Sequence, residues 1–245
     1  MILVENVTKS YSKSRTKAVD DLSFQTKDGE IFGFIGPNGA GKTTTIKMLV
    51  GILKPDSGKI VINGMDFEKS AIQLKSIIGY VPDSHEIYER LTGIEYLNFM
   101  ADIYSVPDHV RKVNIEKYLA MFDLEKAAGE IIRSYSHGMK QKIILAAALM
   151  HEPQLWILDE PMTGLDPKSA HLLKEEMKAH CKKGNTVFFS THVLEVAEHL
   201  CDRIGIIDSG KLVASGSLAE LRGKAQSESS LESIFFKLTE DEGGE

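Results

Sequence analysis

Residues 30–49 run from an apolar segment, Glu30-Ile31-Phe32-Gly33-Phe34-Ile35, through Gly36-Pro37-Asn38-Gly39-Ala40-Gly41-Lys42-Thr43, into Thr44-Thr45-Ile46-Lys47-Met48-Leu49. A buried strand, a glycine-rich loop and a helix in that order leave few folds open. Residues without a Cβ let the backbone turn tightly enough to aim several N–H groups at one anion. Lys42 then supplies a compact positive charge for the β- and γ-phosphates of a nucleoside triphosphate, and the Thr43 hydroxyl suits Mg²⁺ ligation. Thr44 opens a helix whose N-terminus carries partial positive charge.

The plain alternative, a glycine-rich turn ahead of a helix, is weakened by a second half-site. Leu155-Trp156-Ile157-Leu158-Asp159-Glu160 is an apolar run ending in two carboxylates. Such a run fits a central parallel strand covered on both faces, and ligands of open α/β sheets bind at the C-terminal ends of such strands. Asp159 is placed there to hold Mg²⁺, directly or through water. Glu160, one residue on, faces elsewhere and can orient and deprotonate an attacking water.

Composition excludes several classes. A chain of 245 residues, 42% of them hydrophobic, can bury one large domain or a core with a lobe. Net charge is −6 with Lys and Arg scattered, so no nucleic-acid footprint is expected. Cys181 and Cys201 lack Cys-x-x-Cys spacing and read as reduced thiols rather than a disulfide or metal site. No apolar stretch approaches the ~20 residues that span a bilayer, and the longest, near 143–150, reads as a helix segment. Met1-Ile2-Leu3-Val4-Glu5 passes at once into strand-like sequence, so no leader is expected.

Patterning predicts β segments near 2–7 and 18–26, joined by the polar loop Ser10-Tyr11-Ser12-Lys13-Ser14-Arg15. A turn at Lys54-Pro55-Asp56-Ser57-Gly58 leads to a strand near 59–62 and the Asn63-Gly64 turn, making this part antiparallel. Ile77-Ile78-Gly79-Tyr80-Val81 reads as a core strand. From 84 to 150 the β-pattern stops: Thr92-Gly93-Ile94-Glu95 has capping-box spacing, a second helical stretch follows Pro107, and Gly138 opens a third. Alternation then resumes with a strand at 155–158, a helix near 168–182, a strand at 186–190, a helix near 193–200 and strands at 204–207 and 212–214. A tail holds 217–221 and an amphipathic stretch at 231–238, ending in an acidic terminus. The fold class is therefore α/β, a P-loop NTPase core with a mostly parallel sheet, an N-terminal antiparallel β subdomain and an inserted helical lobe.

The order of the remaining motifs resembles the nucleotide-binding subunit of ABC transporters. Tyr135-Ser136-His137-Gly138-Met139-Lys140-Gln141 opens a helix before the carboxylate strand, Thr163-Gly164-Leu165-Asp166-Pro167 follows it, and His192 ends Phe188-Phe189-Ser190-Thr191-His192. The resemblance covers nearly the whole chain. It implies a single ATPase domain over 1–245, with core at 1–83 and 151–216, helical lobe at 84–150 and helical tail at 217–245. It implies ATP and Mg²⁺ as cofactors, and ATP hydrolysis as the reaction. Tyr11 would stack on adenine, although an ordinary loop tyrosine is the plain alternative. Ser136 and Gly138 match the signature segment that grips the γ-phosphate of a nucleotide held by the other subunit; Ser136 taken alone reads as a helix N-cap. Asp166 matches a loop carboxylate communicating across the dimer interface, against a turn-forming Asp before Pro167. His192 matches a switch histidine contacting the γ-phosphate and the water, and its role rests on motif order.

Two departures stand out. Tyr80-Val81-Pro82 is followed by Asp83 where the family usually has Gln; a carboxylate can ligate Mg²⁺ and accept from water but cannot donate. His137 and Met139 replace the usual Gly and Gln of the signature, and Met cannot hydrogen-bond a ribose. Both resemble subunits of drug, lipid, polysaccharide or sodium exporters. The implied partners are a second ATPase subunit, homo- or heteromeric, and polytopic permease subunits docking near 83–90. The implied place is cytoplasmic, peripheral on the inner face of the membrane. A soluble ATPase factor is the alternative, but no second cassette, Cys-rich insertion or basic arm supports it. A P-loop kinase or GTPase is a further alternative, and no Asn-Lys-x-Asp guanine signature supports it.

Overall fold

The computed structural model describes residues 2–11, 16–84, 87–225 and 230–240. Its two sheets divide as the patterning predicts. β1 (Ile2–Ser10) pairs antiparallel with β2 (Lys17–Gln25) and with β4 (Ser57–Ile62), and β5 (Met65–Asp66) adds an edge, in the order β2-β1-β4-β5. Ile2, Val4, Val7, Val19, Leu22, Ile60 and Ile62 are buried while their neighbours along each strand are largely not. That half-exposed pattern is the reason the segment alternates in sequence. Asn63 and Gly64 both take positive φ, 49° and 74°, as the tight turn between β4 and β5 requires.

The second sheet runs β10-β9-β3-β8-β7-β6. Its members are β3 (Ile31–Ile35), β6 (Ile78–Val81), β7 (Leu155–Asp159), β8 (Thr186–Thr191), β9 (Arg203–Asp208) and β10 (Lys211–Gly216); only β10 is antiparallel to its neighbour. Every residue of β3, β7 and β8 is buried, which explains the unbroken apolar runs of β3 and of β7 up to Asp159. Register decides function here. Ile35 lies beside Thr191, and Asp159 beside Ser190. The glycine loop after β3, Glu160 after β7 and His192 after β8 are thus delivered to the same C-terminal end of these parallel strands.

Helices cover both faces. α1 (Lys42–Leu49) and α2 (Phe67–Ile77) follow β3 and β5, and α3 (Gly93–Ile103), α4 (Asp108–Met121) and α5 (His137–Leu149) lie between β6 and β7. α6 (Pro167–Lys182) and α7 (Leu194–Leu200) flank β8, and α8 (Leu218–Ala225) and α9 (Leu231–Glu240) form the tail. The expected capping box is present: Glu95 N donates to Thr92 Oγ1 at 3.2 Å and Thr92 N to Glu95 Oε2 at 2.8 Å. α5 is apolar almost all round because α3 and α4 pack on one side and β6 on the other. Phe24 of the antiparallel sheet stacks on Phe32 and Phe188, with centroids 5.7 and 5.9 Å apart. Such pairs add about 1 kcal/mol each beyond area burial and fasten the two sheets together.

Three sequence expectations need adjustment. Ile77 ends α2, so the core strand starts at Ile78. α2 itself escaped the pattern analysis because only Leu74 of its residues is buried and Ser70 breaks its helical dihedrals. His192 lies one residue beyond β8. Residues 12–15 of the first loop, 85–86 of the docking stretch and 241–245 of the terminus lie outside the described residues. Among the described residues no helix is long and apolar enough to cross a membrane.

Candidate active site

The glycine loop closes because side chains are missing where backbone crowds it. A Cβ on Gly36 would sit 2.2 Å from Ile207 O. Gly41 has φ +108°, and a Cβ there would meet Ala18 O at 2.5 Å. Gly41 is the N-cap of α1, no side chain caps that terminus, and its first turn carries no acidic residue. An uncapped, unopposed helix N-terminus facing a glycine loop is an anion site. The loop, Ala18, Asp83 and Glu160 line a cavity of about 190 Å³ there, with Pro37, Asn38, Gly39 and residues 41–44 all in its wall. Ala40 is buried behind them, its carbonyl accepting from Gly210 N at 2.9 Å.

Lys42 is only 5% exposed. Its ammonium donates to Gly36 O at 2.7 Å and Pro37 O at 3.1 Å, and lies 3.5 Å from Glu160 Oε1. A buried cation thus rests on its own loop, close to where phosphate oxygens would replace those carbonyls. Tyr11 reaches the same helix end, with its hydroxyl 3.4 Å from Thr44 Oγ1 and its ring partly exposed.

Asp159 is fully buried at the end of β7. Oδ1 accepts from Ser190 Oγ at 2.5 Å, while Oδ2 makes no hydrogen bond. Burial raises its carboxyl above the usual carboxylate range, the Asp83 and Glu160 charges add to that, and the Ser190 and Thr43 hydroxyls oppose it. Burial, then the charges of Asp159 and Asp83, also push the Tyr80 hydroxyl up to about 12. A buried carboxylate oxygen with lone pairs free to donate, beside the Thr43 hydroxyl and a second carboxylate, is a hard-oxygen set that fits Mg²⁺.

Glu160 follows with φ +48°, a left-handed backbone that costs a non-glycine residue about 1 kcal/mol and marks a constrained position. Its N–H donates to Ser190 Oγ at 3.1 Å, and Oε2 is 3.0 Å from His192 Nδ1. Ser190 thereby fixes the Asp159 carboxylate and the Glu160 backbone. No local pattern in the sequence marks Ser190, because Thr186 and Thr191 of the same buried strand carry hydroxyls as well.

The remaining candidates do not line this cavity. Ser136 caps α5, accepting from Met139 N at 3.3 Å. A Cβ on Gly138 would approach Gly164 O to 2.9 Å, and one on Gly164 would strike His137, so the two motifs pack together. Asp166 caps α6: Oδ1 accepts from Ser169 N at 2.9 Å, and Oδ2 from Ser169 Oγ at 2.7 Å and Lys142 Nζ at 2.8 Å. Those bonds hold its carboxyl well below the usual range. Gln141 of α5 donates to Pro161 O at 3.1 Å, tying the signature helix to the turn after Glu160.

Residues 19–163 match the ABC transporter domain family, a span that contains both half-sites and the signature stretch. The chain belongs to the ABC transporter family. Within that family it is an ATPase cassette, and its fold is similar to that of a solved ATP-binding subunit of an ABC transporter. That likeness has a TM-score of 0.92 at 33% identity, covering 98% of this chain and 99% of the other. A dimeric bacterial ABC transporter cassette aligns with TM-score 0.81 at 26% identity, over 89% and 99% of the two chains. Among curated relatives, a linearmycin resistance ATP-binding protein of Bacillus subtilis is 41% identical over 221 residues, 90% of this chain and 70% of the relative.

Proposed function

We propose that two such cassettes, identical or homologous, close over two Mg·ATP, and that hydrolysis reopens them to drive export through separate membrane subunits. The observation that carries this reading is the setting of Glu160, whose two oxygens lie 3.0 Å from His192 Nδ1 and 3.5 Å from Lys42 Nζ. A carboxylate held between an imidazole and the phosphate-loop ammonium, at the end of a strand, is positioned to orient and deprotonate a water.

Each residue then has a task. The N–H groups of Asn38, Gly39 and residues 41–44 surround the phosphates, and Lys42 exchanges loop carbonyls for β- and γ-phosphate oxygens. Thr43 and Asp159 hold the divalent cation, with Asp83 at the rim of the same cavity. A cation bound there neutralises charge on the triphosphate. His192 fixes Glu160 and contacts the γ-phosphate, and Tyr11 offers its ring to the base. Ser136, Gly138 and the N-terminus of α5 serve the nucleotide of the opposite cassette, since in one chain they lie outside the cavity. Asp166 supports that surface by bracing α6 against Lys142.

Permease docking is assigned to the groove of about 1050 Å³ that Tyr88, Arg90 and Phe99 line. A polytopic partner would hold the chain at the cytoplasmic membrane face. The export direction is supported by the resistance role named for the linearmycin relative and by the residues at 83, 137 and 139. Glu160→Gln tests the core of the reading. Turnover should fall about a thousandfold while ATP stays bound and a dimer appears by light scattering. Turnover at the wild-type rate refutes Glu160 as the base. Co-purification with a polytopic membrane protein tests the transport half.

A further inference from the structure

α7 is 7 residues long, too short to hold helical form by itself, so its neighbours decide where it lies. It begins two residues after His192. Its far end is pinned to β3, where Asp202 N donates to Ile31 O at 2.9 Å and Asp202 Oδ2 accepts from Ile31 N at 2.8 Å. Its outer side is pinned to the tail. Glu198 Oε2 accepts from Leu231 N, the first residue of α9, at 3.2 Å, and Oε1 lies 3.5 Å from Arg222 Nη2 of α8. Beneath these bonds Ala197 packs in one buried cluster with Leu221, Leu231 and Ile234. Lys237 of α9 donates to Ala225 O at 2.6 Å, joining the two tail helices to each other. A carboxylate at the start of α9 also meets the positive end of that helix.

His192 therefore stands between two supports. β8 fixes it from one side, and Val193 N donates to Thr191 Oγ1 at 3.0 Å. α7 fixes it from the other, and α7 is itself clamped by the tail. We propose that α8 and α9 act through α7 to hold His192 against Glu160, with Glu198 as the positioning residue that couples tail to site. This rests on the reading of His192 as part of the hydrolytic site. Nucleotide binding by the phosphate loop should depend on it far less, because the close approaches of Gly36 and Gly41 run to Ile207 of β9 and Ala18 of β2 rather than to α7.

The test is a double-mutant cycle between Glu198 and His192 in the full chain, with residual hydrolysis followed using radiolabelled ATP. Glu198→Ala should lower kcat about three- to tenfold, the size expected for losing a partly exposed charged hydrogen bond, with KM for ATP within about twofold. Glu198→Gln, which keeps an acceptor for Leu231 N, should recover most of the loss. On a His192→Ala background the Glu198 change should have almost no further effect, since coupled residues are non-additive. The same fold loss in both backgrounds, an unchanged kcat, or a rise in KM matching the fall in kcat overturns the proposal. If Glu198→Ala does not fold, Arg222→Gln replaces it in the cycle, with a smaller loss and the same non-additivity expected; an equal loss in both backgrounds again overturns it. Full turnover in His192→Ala alone would instead remove the underlying reading of the histidine.

Discussion

The phosphate-loop half and the signature half of the site are both built at helix N-termini, yet they treat their polar groups in opposite ways. At the loop no side chain caps α1, Asp159 Oδ2 is buried without a partner, and Lys42 rests on carbonyls of its own loop. At the signature Ser136 caps α5, and both oxygens of Asp166 are engaged within the chain. A buried polar group left unpaired costs about 1–3 kcal/mol, so the first half is incomplete until a ligand arrives. The second half is complete as a piece of fold. The contrast teaches that a single chain should capture nucleotide with its loop alone, and that the signature should matter only once another chain presents a nucleotide to it.

Several changes would break or sharpen that contrast. Lys42→Ala should weaken ATP affinity of the isolated chain about a hundredfold, since a charge-assisted contact to phosphate is lost. Equilibrium dialysis with magnesium measures this, and an unchanged affinity refutes the assigned role. Acid should act next most strongly, at the end of α5 opposite the signature. Beyond the end of α5, His151 stacks on Tyr104 with centroids 3.6 Å apart, and Nε2 is 3.2 Å from Ile78 O. Burial pushes its pKa down to about 4 from 6.5, against the pull of the Ile78 carbonyl. The unfolded chain takes up a proton below 6.5 that the folded chain refuses. Stability is therefore full above that value and falls as pH drops toward 4, by at most about 3 kcal/mol for this residue. Thermal midpoints at pH 7 and 5 should differ less in His151→Gln than in the wild type; equal differences would exclude His151 as the cause.

Smaller effects separate the halves most cleanly. Ser136→Ala should reduce turnover about tenfold yet leave single-chain ATP affinity within about twofold, because the ligand proposed for it belongs to the other subunit. A loss of affinity comparable to that of Lys42→Ala would erase the distinction between the two helix termini. Asp166→Ala should remove the cap of α6 and lower stability by about 1 kcal/mol, read as a fall in the denaturant midpoint. No change in stability would show that the carboxyl is not needed as a cap.

Much of this was legible in the residues. The all-buried strands β3 and β7 announced themselves as unbroken apolar runs, and Thr92 with Glu95 gave the start of α3 because a cap is a local interaction. α2 was not legible, since one buried residue gives no period to detect. Ser190 reads in the sequence only as part of a strand, and its two bonds, to Asp159 and to Glu160 N, depend on strand register that no local pattern encodes. The grip of Glu198 on both tail helices was likewise invisible, joining residues 24 and 33 positions apart.

The sequence by itself determined the chemistry on offer: a loop of glycines, one lysine, a hydroxyl and two carboxylates at a strand end, because each depends on residue type and short spacing. Only the tertiary structure decided which of these meet. Parallel pairing of β3, β7 and β8 sets Lys42, Glu160 and His192 within reach of one another, and the same packing keeps Ser136 away from them. Contact between residues far apart in the chain follows from sheet order and burial, which are properties of the whole core.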